Sequence, residues 1–213
     1  VTRMPGRTAV QNVRALPAST VPPAELPAPA EQLAARAAEL LGWRGLVLPP
    51  MSLLGRRVVP VVELVPDRHA ERLCWGVGPV TDRTTVSTWV WPEMVGRVPP
   101  PAVRLVGVLA PARHWRSALT SAVPFARICS AAVVLPALVT TGDDYVTNGM
   151  LRARLYGVGV LTADPDGAVG LELPGSTDED RVIDVDLATS PAVRWMHEVL
   201  YDRVLAMTAA SAD

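Results

Sequence analysis

The sequence predicts an α/β domain: a central mixed β-sheet flanked by helices, with an inserted β-hairpin and a C-terminal helix. Two observations lead there. From Ala102 onward, short apolar runs alternate with amphipathic segments of helical period, which is the rhythm of a mainly parallel or mixed sheet. Apolar residues also make up 49% of the 213, enough to bury a substantial core.

The chain opens on a Pro-rich extended arm, residues 1–29. The first thirty residues hold six prolines and no apolar periodicity, and proline fixes φ while withholding a backbone donor. Such a segment is either a tail or a docking arm with Arg3, Arg7 and Arg14 as contacts. An α/β domain over 30–175 follows. In "PAEQLAARAAELLGW" Leu33, Ala37, Leu40 and Leu41 recur at helical spacing, and Gly42 stands where a helix end wants positive φ. "GLVLPP" is a short apolar run, and "GRRVVPVVELV" a strand in which Pro60 marks an edge or a bulge. Residues 66–102 read as an insertion. "RLCWGVGPV" and "TTVSTWVWP" form its hairpin, joined at "TDR" and carrying Trp75, Trp89 and Trp91.

The regular alternation then begins. "AVRLVGVLA" is a buried strand, and the helix after it, near 113–127, turns Trp115, Leu119, Ala122 and Ala126 inward. "AAVVLP" is the next strand, "DDYVTNGMLRARLY" a helix capped by Asp143 or Asp144, and "GVGVLTAD" a third strand. "DPDG" turns into "AVGLELPG", which pairs antiparallel with it. Residues 176–213 are an acidic connector and the last helix. Ser190–Pro191 starts that helix, and Val193, Met196, Leu200 and Val204 share one face.

Charge narrows the functional classes. The net charge is −1, but residues 1–142 carry 15 Arg against 8 acids while 143–213 carry 5 Arg against 13 acids. All 20 basic residues are Arg, so no mechanism that needs a lysine is open to this chain. Cys74 and Cys129 stand in unrelated segments and predict reduced, partly buried thiols. No basic-then-apolar leader and no apolar run of membrane-spanning length is visible, which predicts a cytoplasmic chain without a membrane partner.

"VGVLAPARHWRSALTSAVPFARICSAAVVLP", residues 106–136, carries a resemblance. With "GRRVVPVVEL" before it and "LRARLYGVGVLTAD" after it, the stretch 30–163 resembles the restriction-endonuclease-like, PD-(D/E)XK superfamily core. The closest variant is a small bacterial kind in which a strand ending in Glu-x-Lys precedes a "W..AL" helix. The resemblance implies the order helix, strand, strand, strand, helix, strand, helix, strand, with the Trp-rich segment inserted before the third strand. It also implies where catalysis would sit. The Asp, Glu and Lys that hold a divalent metal in active members fall at Pro60, Leu109 and Pro111. None of these side chains offers an oxygen ligand to Mg²⁺, so a degenerate member with no cofactor and no metal is expected. Glu63, Asp67 and Asp82 are the nearby acids that could stand in.

No P-loop, nucleophile elbow, HExxH or EF-hand pattern occurs. "GVGV" at 157–160 reads as a helix-to-strand turn, and His69, His114 and His197 are scattered surface or packing residues. The acids Asp178, Glu179, Asp180, Asp184 and Asp186 form a solvated run rather than a cation site. Arg113, Arg116 and Arg127 are either phosphate contacts along a retained groove or the polar face of a helix. The expected function is therefore a catalytically inactive nuclease-fold protein in a bacterial or phage complex, binding protein partners through Trp75, Trp89 and Trp91. A non-sequence-specific nucleic-acid-binding accessory is the alternative, and an active metal-dependent nuclease with relocated carboxylates a third.

Overall fold

A computed structural model describes residues 24–176 and 189–210. Most of the predicted arm and the acidic run at 178–186 lie outside the described residues. Among those described, seven strands form one mixed sheet: β1 (Leu46–Val47), β2 (Met51–Leu53), β3 (Arg56–Leu64), β4 (Val103–Pro111), β5 (Ser130–Pro136), β6 (Gly159–Ala163) and β7 (Val169–Leu173). Their order is β1-β3-β4-β5-β6-β7, with β2 pairing β3 beside β1. β3 runs antiparallel to β4, β4 to β6 are parallel, and β7 returns antiparallel to β6. The strands predicted at 103–109, 131–135 and 158–162 are β4, β5 and β6.

Alternation of side chains along the strands gives the sheet two apolar faces. One is covered by α1 (Ala30–Leu40), whose Leu33, Ala34, Ala37 and Ala38 pack on Val59, Val61, Leu109, Ala132, Val134 and Leu161. The helix ends as predicted at Gly42, φ 67°, where Trp43 N–H returns to the Ala38 carbonyl. Its buried stripe is displaced from the predicted one, because close approach to the sheet selects alanines and leaves Leu40 exposed. Trp43 then lies against Gly107 on β4, where a Cβ would stand 2.5 Å from the indole.

The other face carries α4 (Trp115–Ala122), the crossover between β4 and β5, and the last helix, α7 (Pro191–Ala210). Trp115, Leu119 and Ala122 are buried as predicted. The α-helix is shorter than predicted: Pro124 tightens its end into a 3₁₀ turn at Val123–Phe125. β5 leads through the single turn α5 (Ala137–Thr140) into a π-turn at Tyr145–Gly149, continued by α6 (Met150–Leu155). Asp144 does not cap this helix. It is already helical, and its carboxylate takes the Trp115 indole N–H at 2.9 Å.

Pro60 is not on an edge strand. Its residue pairs with Val108 on one side, and on the other its carbonyl accepts from Leu48 N–H in the gap between β1 and β2. The missing N–H of Pro60 faces that gap, where no ladder requires it. A bulge follows at once, between Val61 and Val62.

The predicted inserted β-hairpin is absent: residues 66–102 form α2 (Pro66–Cys74), α3 (Arg83–Thr88) and a 3₁₀ turn at Pro92–Met94. Local signals outweigh the β-branched composition here. Pro66 sits in the first turn of α2, and Gly76 ends it at φ 65°. Asp82 caps α3, accepting from Thr85 N–H at 2.7 Å, while Ser87 and Thr88 hydroxyls return to carbonyls three residues back.

The last helix, α7 (Pro191–Ala210), buries Val193, Met196, Leu200 and Val204 as predicted and packs on α3 and β4. No helix among the described residues is long and apolar enough to cross a membrane.

Candidate functional site

The position that the sequence resemblance assigns to a metal is filled with hydrocarbon. Leu109 is fully buried on the α1 face among Leu33, Val59, Val61 and Leu161. Pro111, two residues on, shares that face at the end of β4 and is partly buried. Pro60 does not join them. Leu109 is paired with Val59, so Pro60 opposes Val108 and turns to the opposite face. The expected triad of positions is corrected accordingly: the β3 residues that meet Leu109 are Val59 and Val61, also apolar. Of the stand-in acids, Glu63 pairs with Arg104 five residues up β4, about 17 Å of strand from Leu109. Asp67 lies in the first turn of α2 and Asp82 is spent on the α3 cap. Among the described residues no group of three His, Cys, Asp or Glu side chains is placed to hold a metal ion.

The insertion is fastened to α7 by a buried charge network that sequence reasoning missed. Arg72 of α2 donates to both carboxylate oxygens of Glu198, at 2.8 and 2.7 Å, and neither side chain has meaningful exposure. Arg72 also donates to Gly78 O at 2.7 Å. Glu198 accepts from Val80 N–H and forms an ion pair with Arg194, both at 3.0 Å. Arg194 in turn donates to Pro99 O and lies 4.9 Å from the Trp89 ring centroid. Trp195 donates to Thr81 O, and His69 meets the Tyr201 hydroxyl at 2.9 Å. Burial pulls the Arg194 guanidinium below its ordinary pKa and His197 down to about 4, the charge of Arg194 adding to the latter. The legible signal was Arg194 and Glu198 at i, i+4 beside an apolar stripe. Which residue they would meet 126 positions away was not legible.

This clamp separates the three tryptophans. Trp89 is partly buried under Arg194 and belongs to the clamp. Trp75 and Trp91 are 54% and 57% exposed, in company with exposed Leu73, Val90 and Val95. Of the two cysteines, Cys129 is buried, but Cys74 lies exposed next to Trp75 in the chain, a correction to the expected partial burial.

The predicted arginines do not share a surface of one helix. Arg113 precedes α4 and pairs with Glu25 at 2.8 Å, and Arg127 lies beyond the 3₁₀ turn. Arg116 alone is on the helix, bound to Asp144 at 2.9 Å. The hydrogen bond from Trp115, more than the charge of Arg116, holds the Asp144 carboxyl below the usual carboxylate range. Arg116 instead joins Arg56 and Arg152, neither singled out from sequence, around a cleft of about 440 Å³ floored by Trp115, Leu119 and Val123. A second cleft of about 750 Å³, lined by Trp43, Arg44, Leu105, Ile128 and Leu171, opens at the other end of β4 from Leu109.

No family model matches this chain, and neither a curated protein nor a solved structure matches it.

Proposed function

We propose that this chain is a catalytically inactive nuclease-fold protein that serves as a protein-interaction or assembly component. The observation that carries the reading is the insertion: Trp75 and Trp91 stand more than half exposed on a segment bolted to α7 from behind. An exposed indole carries a large apolar area on few rotatable bonds, and Trp is enriched among interface hot spots. Two further features support the nuclease ancestry and its lost chemistry. With the two-residue β1, the insertion helices and the single turn α5 set aside, the order α1, β2, β3, β4, α4, β5, α6, β6 agrees with the order that the resemblance implies. At its metal position stand Leu109, Pro111 and the valines of β3. The nucleic-acid reading has less support, since Arg113 and Arg116 already hold carboxylates.

The test is capture of partners on the tagged full chain, identification by mass spectrometry, and titration of the purified pair by calorimetry. Burying the exposed half of one indole removes on the order of 100 Å² from water, about 2–3 kcal/mol. A Trp75→Ser/Trp91→Ser variant should therefore weaken the purified pair roughly 30-fold or more. An unchanged Kd refutes the placement of the interface. EDTA-sensitive plasmid cleavage that Glu63→Ala abolishes refutes the loss of catalysis.

A further inference from the structure

We propose that the cleft between α4 and α6 docks an acidic peptide segment of a protein partner. Its carboxylates would be held by Arg56 and Arg152, beside the Asp144-paired Arg116, and an apolar side chain would lie on Leu119, Val123 and Tyr156. The proposal shares the interaction role argued above but uses different residues from the insertion.

The arginines are gathered by one ring. The guanidinium carbons of Arg116 and Arg152 lie 4.6 and 5.7 Å from the Trp115 ring centroid, so the two cations are within about 10 Å of each other. Asp144 offsets one of them, through Arg116. Arg56 and Arg152 have no ion pair among the described residues, so the cleft keeps uncompensated positive charge at an apolar floor. Arginine's planar fork suits carboxylates in pairs, and complementary charge selects an acidic partner.

The π-turn places Arg152 there. One extra residue at Tyr145–Gly149 turns everything beyond it by about 100° relative to an uninterrupted α-helix. Gly149 allows that turn to press on the tryptophan: a Cβ there would lie 3.1 Å from Trp115 and closer still to Tyr145. The helix is consequently buried only through Tyr145, Gly149 and Ala153, while Leu151, Leu155 and Tyr156 remain exposed along the cleft-side helix. A nucleic acid fits less well. Trp115 is 3% exposed with two guanidiniums about its ring, so it offers no stacking platform for a base.

Fluorescence anisotropy with three fluorescein-labelled probes tests the assignment: a short peptide of glutamates around two leucines, its glutamine counterpart, and an oligothymidylate of similar length. The glutamate peptide should bind saturably at low salt and weaken as salt rises. The glutamine peptide should bind about tenfold more weakly or worse, the loss expected when charge-assisted bonds become neutral ones. Arg56→Glu and Arg152→Glu, both at exposed positions and checked for native circular dichroism, should each cost about tenfold or more. Arg97→Glu, exposed in the insertion, should leave the affinity unchanged, as should Trp75→Ser/Trp91→Ser, which separates this site from the insertion patch. The proposal is overturned by equal binding of the two peptides, by no saturable binding, by tighter binding of oligothymidylate, or by equal losses in Arg97→Glu and Arg152→Glu.

Discussion

Glu198→Gln should be the most damaging single change in the clamp, and worse than removing its principal partner. In the native molecule Glu198 faces two guanidiniums, Arg72 at 2.7 Å and Arg194 at 3.0 Å. Neutralising it leaves both cations in a site from which water is excluded, one of them fully buried. Arg194 already has one nitrogen, Nη1, without a partner among the described residues. Breaking a buried pair this way costs about 3–5 kcal/mol. Arg72→Met differs in kind. It leaves Glu198 balanced by Arg194 and by Val80 N–H, and its main debt is the Gly78 carbonyl stripped of a 2.7 Å donor, about 1–3 kcal/mol. At roughly 2–4 °C per kcal/mol for a chain of this length, the Glu198 variant should melt about 6–20 °C below wild type. Urea denaturation followed by circular dichroism would give the free energies. The double variant Arg72→Met/Glu198→Met should cost at least about 1 kcal/mol less than the two single changes to methionine added together. A Glu198→Gln cost below about 1 kcal/mol, or a larger cost for Arg72→Met, would refute the reasoning.

Two further outcomes follow from the same structure. His197, pulled down to about 4 by burial and by Arg194, is kept neutral in the fold while the unfolded chain protonates it near 6.5. Stability from this residue is therefore whole above pH 6.5 and lost as pH falls toward 4, up to about 3 kcal/mol; His197→Gln should flatten the stability profile in that window, and an unchanged slope would count against it. Introducing acid and lysine by Leu109→Glu/Pro111→Lys should fail to confer Mg²⁺-dependent plasmid cleavage and should destabilise the fold by several kcal/mol, because the carboxylate enters a dry face under α1. Cleavage above the wild-type level would show that the site is still shaped for a metal.

The parts of the fold legible from sequence are those in which one periodicity governs. β4, β5 and β6 are short, apolar and buried on both faces, and α7 repeats its apolar residues with the helical period. The insertion misled because its composition and its ends disagree. Thr84, Thr85, Val86 and Thr88 favour strand by side-chain shape. Yet the Asp82 cap, the start at Pro66 and the stop at Gly76 each fix a helix boundary locally. Those boundary signals were present in the sequence, and weight given to them would have recovered α2 and α3. In α1 the predicted Leu33 and Ala37 do face the sheet, but Ala34 and Ala38 join them in place of Leu40, because a helix lying close to strands favours small residues along most of the contact.

The candidate surfaces were legible in proportion to how local they are. Exposure of Trp75 and Trp91 could not be separated from the packing of Trp89 until Arg194, a hundred residues on, was placed over one ring. Strand register decided in the same way which residues face Leu109. A one-residue difference in pairing moves Pro60 from the face of Leu109 to the opposite face, and only the β3–β4 ladder settles which residues meet. The arginine cleft was least legible of all. Arg56, Arg116 and Arg152 come from a hairpin, a crossover helix and a π-turned helix, and the extra residue in that turn gives no period that sequence reading detects. Charge clustered by topology in this way is invisible to a count along the chain, which finds a net of −1 and no basic run. Electrostatic complementarity therefore belongs to the folded surface, and the proposed acidic-peptide site turns on arginines that composition gives no reason to group.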